Sequence, residues 1–243
     1  MRLDVALVER GLAPTRSRAR DLIRSGLVRV GADVCTKAGA EIAPTADLSL
    51  DGDVARAVSR GAQKLAAALD AFAFDPEGCV ALDVGASTGG FTQVLLERGA
   101  RKVYAVDVGH GQLHASLAAD PRVVSLEGFD ARKLTRNVVA EPVDVITADV
   151  SFISLAKALG PALEFAAAGC LLVALVKPQF EVGPDRVGKG GIVRDEAARA
   201  DALQAVGAWI AAQPGWRLGG SIESPIKGGS GNVEYLIGAR RDG

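Results

Sequence analysis

The segment Leu82-Asp83-Val84-Gly85-Ala86-Ser87-Thr88-Gly89-Gly90-Phe91-Thr92 reads as a strand, a glycine turn and the start of a helix. Glycine lets a backbone turn sharply and approach a ligand with no Cβ in the way. In open α/β sheets, ligands bind at the carboxyl ends of the strands. Asp83, Gly85, Ser87, Gly89, Gly90 and Phe91 are therefore candidate binding residues. Asp107 closes the next strand, 22 residues after Gly85, where a carboxylate can accept hydrogen bonds from ribose hydroxyls. Asp130 closes a third strand. A purely structural turn is the plain alternative for the loop, and a solvated charge is the alternative for Asp130.

Two other patterns are decoys. Gly183-Pro184-Asp185-Arg186-Val187-Gly188-Lys189-Gly190 nearly matches a phosphate-binding loop, but Gly190 stands where Ser or Thr must reach magnesium. It reads better as a mobile glycine-rich loop over an active site. His110 and His114 could share a helix face, but they are the only histidines, so no metal site is expected.

The elements that position these residues follow from periodicity. Val80–Val84, Val103–Val106, Val123–Leu126, Val143–Thr147 and Leu171–Val176 are short apolar runs, with helical patterns at Phe91–Arg98 and Leu155–Ala168. A helix near Arg194–Ala212 and strands near Arg217–Glu223 and Val233–Ala239 complete the series. Strands alternating with helices predict an α/β fold with a mainly parallel sheet covered on both faces, its last two strands forming a hairpin.

Ahead of this lies a different composition. Leu3 to Arg10 and Thr15 to Arg24 read as two short amphipathic helices, the second with Ala19, Leu22 and Ile23 as its apolar stripe. Short strands follow at Leu27–Val30, Val34 and Leu48–Leu50. Residues 1–30 hold seven arginines against Asp4, Glu9 and Asp21, a local charge of +4 in a chain of net charge −1. A basic patch on a near-neutral protein fits nucleic-acid binding, with Arg16, Arg18, Arg20 and Arg24 as candidates; a solvated helix face is the alternative. The charged stretch Asp51–Arg60 reads as a linker, giving domains 1–60 and 61–243.

Composition narrows the class. Hydrophobic residues make up 49% of the 243, enough for an ordinary core. The three cysteines are too few and too scattered for a disulfide framework. The longest apolar run, about Phe165 to Val176, falls well short of the roughly 18–20 residues that span a bilayer. With no signal-peptide pattern at Met1-Arg2-Leu3-Asp4, a cytoplasmic protein with no membrane partner is expected.

The loop after the first strand, with spacing Asp-x-Gly-x-x-x-Gly, resembles the first motif of S-adenosylmethionine methyltransferases. There the turn packs against the amino-acid part of a cofactor that has no pyrophosphate, the second acidic residue meets the ribose and the third lies by the adenine. Asp83 would contact the methionine end directly or hold the loop. Further motifs extend the likeness along nearly the whole chain: Arg18-Ala19-Arg20-Asp21-Leu22-Ile23, Ser59-Arg60-Gly61-Ala62-Gln63-Lys64-Leu65, Asp149-Val150-Ser151-Phe152-Ile153-Ser154, Lys177-Pro178-Gln179-Phe180-Glu181 and Gly231-Asn232-Val233-Glu234-Tyr235.

These resemble, in order, the TlyA or hemolysin A-type ribosomal RNA methyltransferases, which join a small αL-type RNA-binding domain to an FtsJ-like catalytic domain. The resemblance implies a Rossmann-like class I methyltransferase behind an N-terminal α+β RNA-binding domain. It also implies S-adenosyl-L-methionine as cofactor and a cytidine 2′-hydroxyl in ribosomal RNA or ribosomal subunits as target. The family's Lys-Asp-Lys-Glu tetrad falls on Lys64, Asp149, Lys177 and Glu234. Gln63 and Ala57 depart from the family, which often has His and an aromatic residue at these places.

A ribose hydroxyl is a poor nucleophile until its proton leaves, whereas a sulfonium methyl group is already activated. The reaction therefore needs in-line positioning and help with deprotonation. An ordinary lysine, with pKa about 10.4, is a poor base near neutrality; a second ammonium nearby and partial desolvation would lower that value. Lys177 is expected to take the proton, with Asp149 orienting it and Lys64 and Glu234 positioning the ribose. A membrane-active hemolysin and a non-catalytic assembly factor are the rival classes. DNA and other amino acceptors are disfavoured because Asp149-Val150-Ser151-Phe152 stands where amino-methylating enzymes carry Asn/Asp-Pro-Pro-Tyr.

Overall fold

The computed structural model describes residues 1–13, 16–24, 26–50 and 58–243, and the side chains of all of these except Ser17, Arg18 and Asp21. It divides into two compact units, Met1–Ala57 and Val58–Gly243. Most of the sequence-assigned linker, residues 51–57, lies outside the described residues, as does the Arg18 side chain.

In the N-terminal unit, helix α1 (Leu3–Glu9) and helix α2 (Arg16–Arg24) pack over a three-stranded antiparallel sheet. Its strands are β1 (Val28–Val30), β2 (Asp33–Val34) and β3 (Leu48–Leu50), in the order β2-β1-β3. Leu3, Leu7, Ala19, Leu22, Ile23 and Val28 form the core. The i, i+3, i+4 spacing of the apolar residues on α2 sends them to one side and leaves Arg16 and Arg24 exposed.

The larger unit opens with helix α3 (Gly61–Phe72), followed by β4 (Val80–Val84), α4 (Gly90–Glu97), β5 (Lys102–Asp107), α5 (Ala115–Ala118) and β6 (Val123–Glu127). It continues with β7 (Val143–Ala148), α6 (Leu155–Leu163), β8 (Ala166–Val176), α7 (Glu196–Ala211), β9 (Trp216–Glu223) and β10 (Tyr235–Arg241). The seven strands run β6-β5-β4-β7-β8-β10-β9. Strands β4 to β8 are parallel, whereas β10 runs antiparallel to both β8 and β9. Every residue of β4 is buried, as expected of a central parallel strand covered on both faces.

One boundary differs from the sequence reading. The helix expected over Leu155–Ala168 stops at Leu163, and Ala166 already pairs with Val143 in the sheet. Alanine favours helix intrinsically, but here the Val143 N–H donates to the Phe165 carbonyl. That link pulls the alanine run into an 11-residue strand. No described helix is long and apolar enough to cross a membrane.

Candidate active site

The glycine turn after β4 is built by close packing. At Gly85, φ is +84°, and a Cβ there would lie 2.6 Å from the Asp149 carbonyl oxygen at the end of β7. The turn thus lets two neighbouring strand ends pass each other. At Gly90, a Cβ would meet the Ser59 hydroxyl at 2.0 Å and the Ala62 nitrogen at 3.0 Å. Gly89 packs on Leu113 and Leu117, and Phe91 is buried.

Asp83 lies beneath the turn, fully buried. It accepts hydrogen bonds from Thr92 Oγ1 at 2.7 Å and Thr147 Oγ1 at 2.9 Å, strapping β4 to α4 and β7. Burial pushes its carboxyl up to about 6, against the lowering effect of the two hydroxyls. Of the candidates in the turn, Gly85 and Ser87 line the adjoining cavity, while Asp83, Gly89, Gly90 and Phe91 support it from behind.

The cavity, about 910 Å³, opens along the carboxyl ends of the parallel strands. Asp107 sits on its wall with Oδ2 accepting from the Ser87 N–H at 2.8 Å and Oδ1 from the Gly109 N–H at 2.7 Å. A carboxylate has about four acceptor positions, so these backbone bonds fix its direction and leave room for hydroxyl donors. Asp130, also on the wall, accepts from the Arg132 N–H at 3.0 Å and pairs with the Arg132 guanidinium at 2.6 Å. That guanidinium, together with the backbone bond, holds its carboxyl down to about 2.

The four tetrad residues form two ion pairs at this same sheet edge. Lys64, in the first turn of α3, places Nζ 2.6 Å from Glu234 Oε2, with both side chains buried. Lys177, directly after β8, places Nζ 2.6 Å from Asp149 Oδ1 and donates to Ser151 Oγ at 2.9 Å. Sheet register brings the pairs together. Tyr235 lies opposite Val176 in the antiparallel β8–β10 ladder, so one further step sets Glu234 beside Lys177. Glu234 stands one residue before β10 rather than on it as the sequence pattern suggested, yet its carbonyl still accepts from the Ser224 N–H. Asp149, at the end of β7, lines the cavity.

The sequence reading gave no role to three neighbours. Ser151 accepts a hydrogen bond from Lys177 beside its ion pair with Asp149. Phe152 is 91% exposed with φ at +66°, and its ring lies 5.2 Å from that of Phe180 on the cavity rim. A bulky residue in the left-handed region is strained. Asn232 is buried; its Oδ1 accepts from the Val193 N–H at 2.9 Å and its Nδ2 donates to the Gly191 carbonyl at 2.8 Å. This ties Gly191 and Val193, just after the glycine-rich run 183–190, to the turn that carries Glu234. All three stand inside quoted motifs, but only their three-dimensional surroundings give them a role. Among the described residues, no group of His, Cys, Asp and Glu side chains is arranged to hold a metal ion.

In the N-terminal unit, Arg16 and Arg20 both reach the buried carboxylate of Asp4, at 3.1 and 3.0 Å, while Arg24 is exposed.

A parallel sheet with a reversed seventh strand, a glycine turn after its first strand, Asp107 closing the second, and Asp130 past the third, capping a short helical turn rather than closing the strand as expected, define a Rossmann-like methyltransferase domain. The description "FtsJ-like methyltransferase" matches residues 57–241, and "S4 domain" matches residues 1–47. The chain is 49% identical to the 16S/23S rRNA (cytidine-2′-O)-methyltransferase TlyA of Mycobacterium tuberculosis, over 98% of this chain and 89% of that one. It is 41% identical to hemolysin A of Brachyspira hyodysenteriae, over 97% and 98%. A solved structure described as a candidate hemolysin from Streptococcus thermophilus superposes with a TM-score of 0.78 at 39% identity, covering 100% of this chain and 88% of that one. The chain belongs to the FtsJ-like methyltransferase family, in the branch that contains TlyA and hemolysin A.

Proposed function

We propose that the protein methylates the 2′-hydroxyl of a ribose, on a cytidine of ribosomal RNA, with S-adenosylmethionine as donor. The observation that carries this reading is the placing of two lysine–carboxylate pairs at one sheet edge, with Asp149 of the second pair on the cavity wall. The residues present fit such a cofactor: Asp107 retains acceptor positions for ribose hydroxyls, and Phe129, Asp130 and Ala131 offer an apolar wall with a polar edge. When bound, the cofactor supplies a methyl group already activated by a sulfonium centre.

The chain's own residues supply the rest. Lys177 Nζ donates to Ser151 Oγ and lies 2.6 Å from Asp149 Oδ1. Held by these two neighbours, Lys177 Nζ takes the proton of the substrate hydroxyl. Lys64 and Glu234, buried and mutually neutralised, hold the ribose in line. The exposed Phe152 ring, backed by Phe180, offers a stacking face to the base of a nucleotide displaced from its RNA helix. The S4 domain and the ribosomal RNA target named for the M. tuberculosis relative support the choice of acceptor.

The test is incubation with radiolabelled S-adenosylmethionine and purified ribosomal subunits or RNA, with Lys177→Ala run beside the natural protein. Label in RNA that is lost in the variant is the expected result. No label despite measurable cofactor binding would indicate another acceptor or a binding role.

A further inference from the structure

We propose that Asp4 is a positioning residue for RNA, whose buried carboxylate gathers Arg2, Arg16 and Arg20 into one set that presents its outer N–H groups to backbone phosphates. The inference rests on the RNA reading above. Asp4 lies in the first turn of α1, where a carboxylate would ordinarily meet solvent, yet its side chain has no exposed surface. Three guanidiniums surround it. Arg2 donates from Nε to Oδ1 at 3.0 Å and from Nη2 to Oδ2 at 3.3 Å; Arg16 Nη2 and Arg20 Nε reach Oδ2 at 3.1 and 3.0 Å.

The chain's geometry makes this arrangement costly without the acid. Arg16 and Arg20 are four residues apart on α2 and leave it on one face, where like charges repel. Asp4 removes that repulsion and fixes both heads. A guanidinium carries five N–H donors in a rigid fork, and Asp4 takes two from Arg2 and one each from Arg16 and Arg20. The three side chains keep 50%, 51% and 42% of their surface exposed, so donors remain on the solvent side. The cluster keeps an excess of positive charge, the requirement for binding phosphates. The bond from Arg2, ahead of those from Arg20 and Arg16, holds the Asp4 carboxyl below the usual carboxylate range although burial pushes it up.

The sign of one substitution separates positioning from simple charge balance. Asp4→Asn removes a negative charge from a phosphate-binding face, so charge counting predicts tighter RNA binding. Positioning predicts weaker binding, because the forks disperse. Filter binding of the full-length protein to transcribed large-subunit ribosomal RNA, at roughly 50–200 mM salt, reads the difference. We expect Asp4→Asn to bind about tenfold more weakly with a shallower salt slope, at unchanged cofactor affinity and while still folded at the assay temperature, although its unfolding midpoint falls with the lost ion pairs. Equal or tighter binding overturns the proposal. Should Asp4→Asn not fold, the Arg16→Lys/Arg20→Lys double variant keeps the charge and removes the forks. Binding weakened about fivefold or more supports positioning, and natural affinity overturns it. Failure of the natural protein to bind RNA at any salt would instead overturn the RNA reading itself.

Discussion

The chain sets cations against carboxylates in two places, with opposite charge balance. At the edge of the large sheet, Lys64–Glu234 and Lys177–Asp149 are one-to-one pairs with little exposed surface. In the N-terminal unit, a single buried carboxylate serves three arginines that remain about half exposed. A neutral pair in a low-dielectric site keeps fixed geometry, and neither partner is left as an uncompensated buried charge. An excess of exposed guanidinium draws polyanions and releases counterions when they bind. Lysine suits the first place because it can give up or accept a proton, whereas arginine, always charged and forked, suits the second.

The comparison predicts a graded set of outcomes. The largest effect falls on Lys177. Lys177→Ala should lower turnover by about 10²–10⁴-fold, the range of general acid–base contributions, while cofactor affinity by calorimetry stays within a few-fold. Retained turnover would remove Lys177 from its role.

Next is the buried pair. Glu234→Ala strands the Lys64 ammonium and should cost about 3–5 kcal/mol in chemical denaturation. Lys64→Met/Glu234→Leu should recover much of that stability and none of the turnover. Recovery of both would make the pair structural only.

Asp83 contrasts with these pairs, since two threonine hydroxyls and the Thr92 N–H meet it rather than a paired cation. Its folded-state value of about 6 lies above that of an unfolded aspartate, so the folded state binds the extra proton. Stability is therefore present at low pH and falls as pH rises from about 4 through 6, by about 3 kcal/mol. Asp83→Asn should match the natural protein near pH 4 and exceed it near pH 7.5 in urea midpoints. A gap that does not change with pH would contradict the burial argument.

The smallest effect belongs to Phe152→Ala. Loss of a stacking face should raise KM for RNA by the equivalent of about 1–3 kcal/mol, with thermal stability and cofactor affinity unmoved. An unchanged KM would take the rim aromatics out of RNA recognition.

Most strands were legible in the sequence because their signal is local. Val80–Val84 is a short apolar run bounded by a turn, and α2 shows its stripe in three residues. The alanine run at 166–168 misled because helix propensity is a property of the segment alone, while its strand state depends on Val143, more than twenty residues away. The site divides in the same way. Asp107 stands at a strand end that periodicity can locate and Asp130 in the loop just past β6, and both reach the cavity. Asp83, Gly89, Gly90 and Phe91 occur in the same motif, yet they support the turn from behind.

The sequence by itself determined the alternation of elements, the glycine turn, the acidic strand ends and the arginine-rich start, because each is written within a few consecutive residues. Only the tertiary structure decided partnership. The 170-residue separation between Lys64 and Glu234 is closed by the packing of α3 against β10. Asp4, which sequence counts as one negative charge among seven arginines, becomes the centre of a cluster of three of them only when α1 and α2 pack together. Spacing along a chain sets which face a side chain takes, but register and packing decide what stands opposite it.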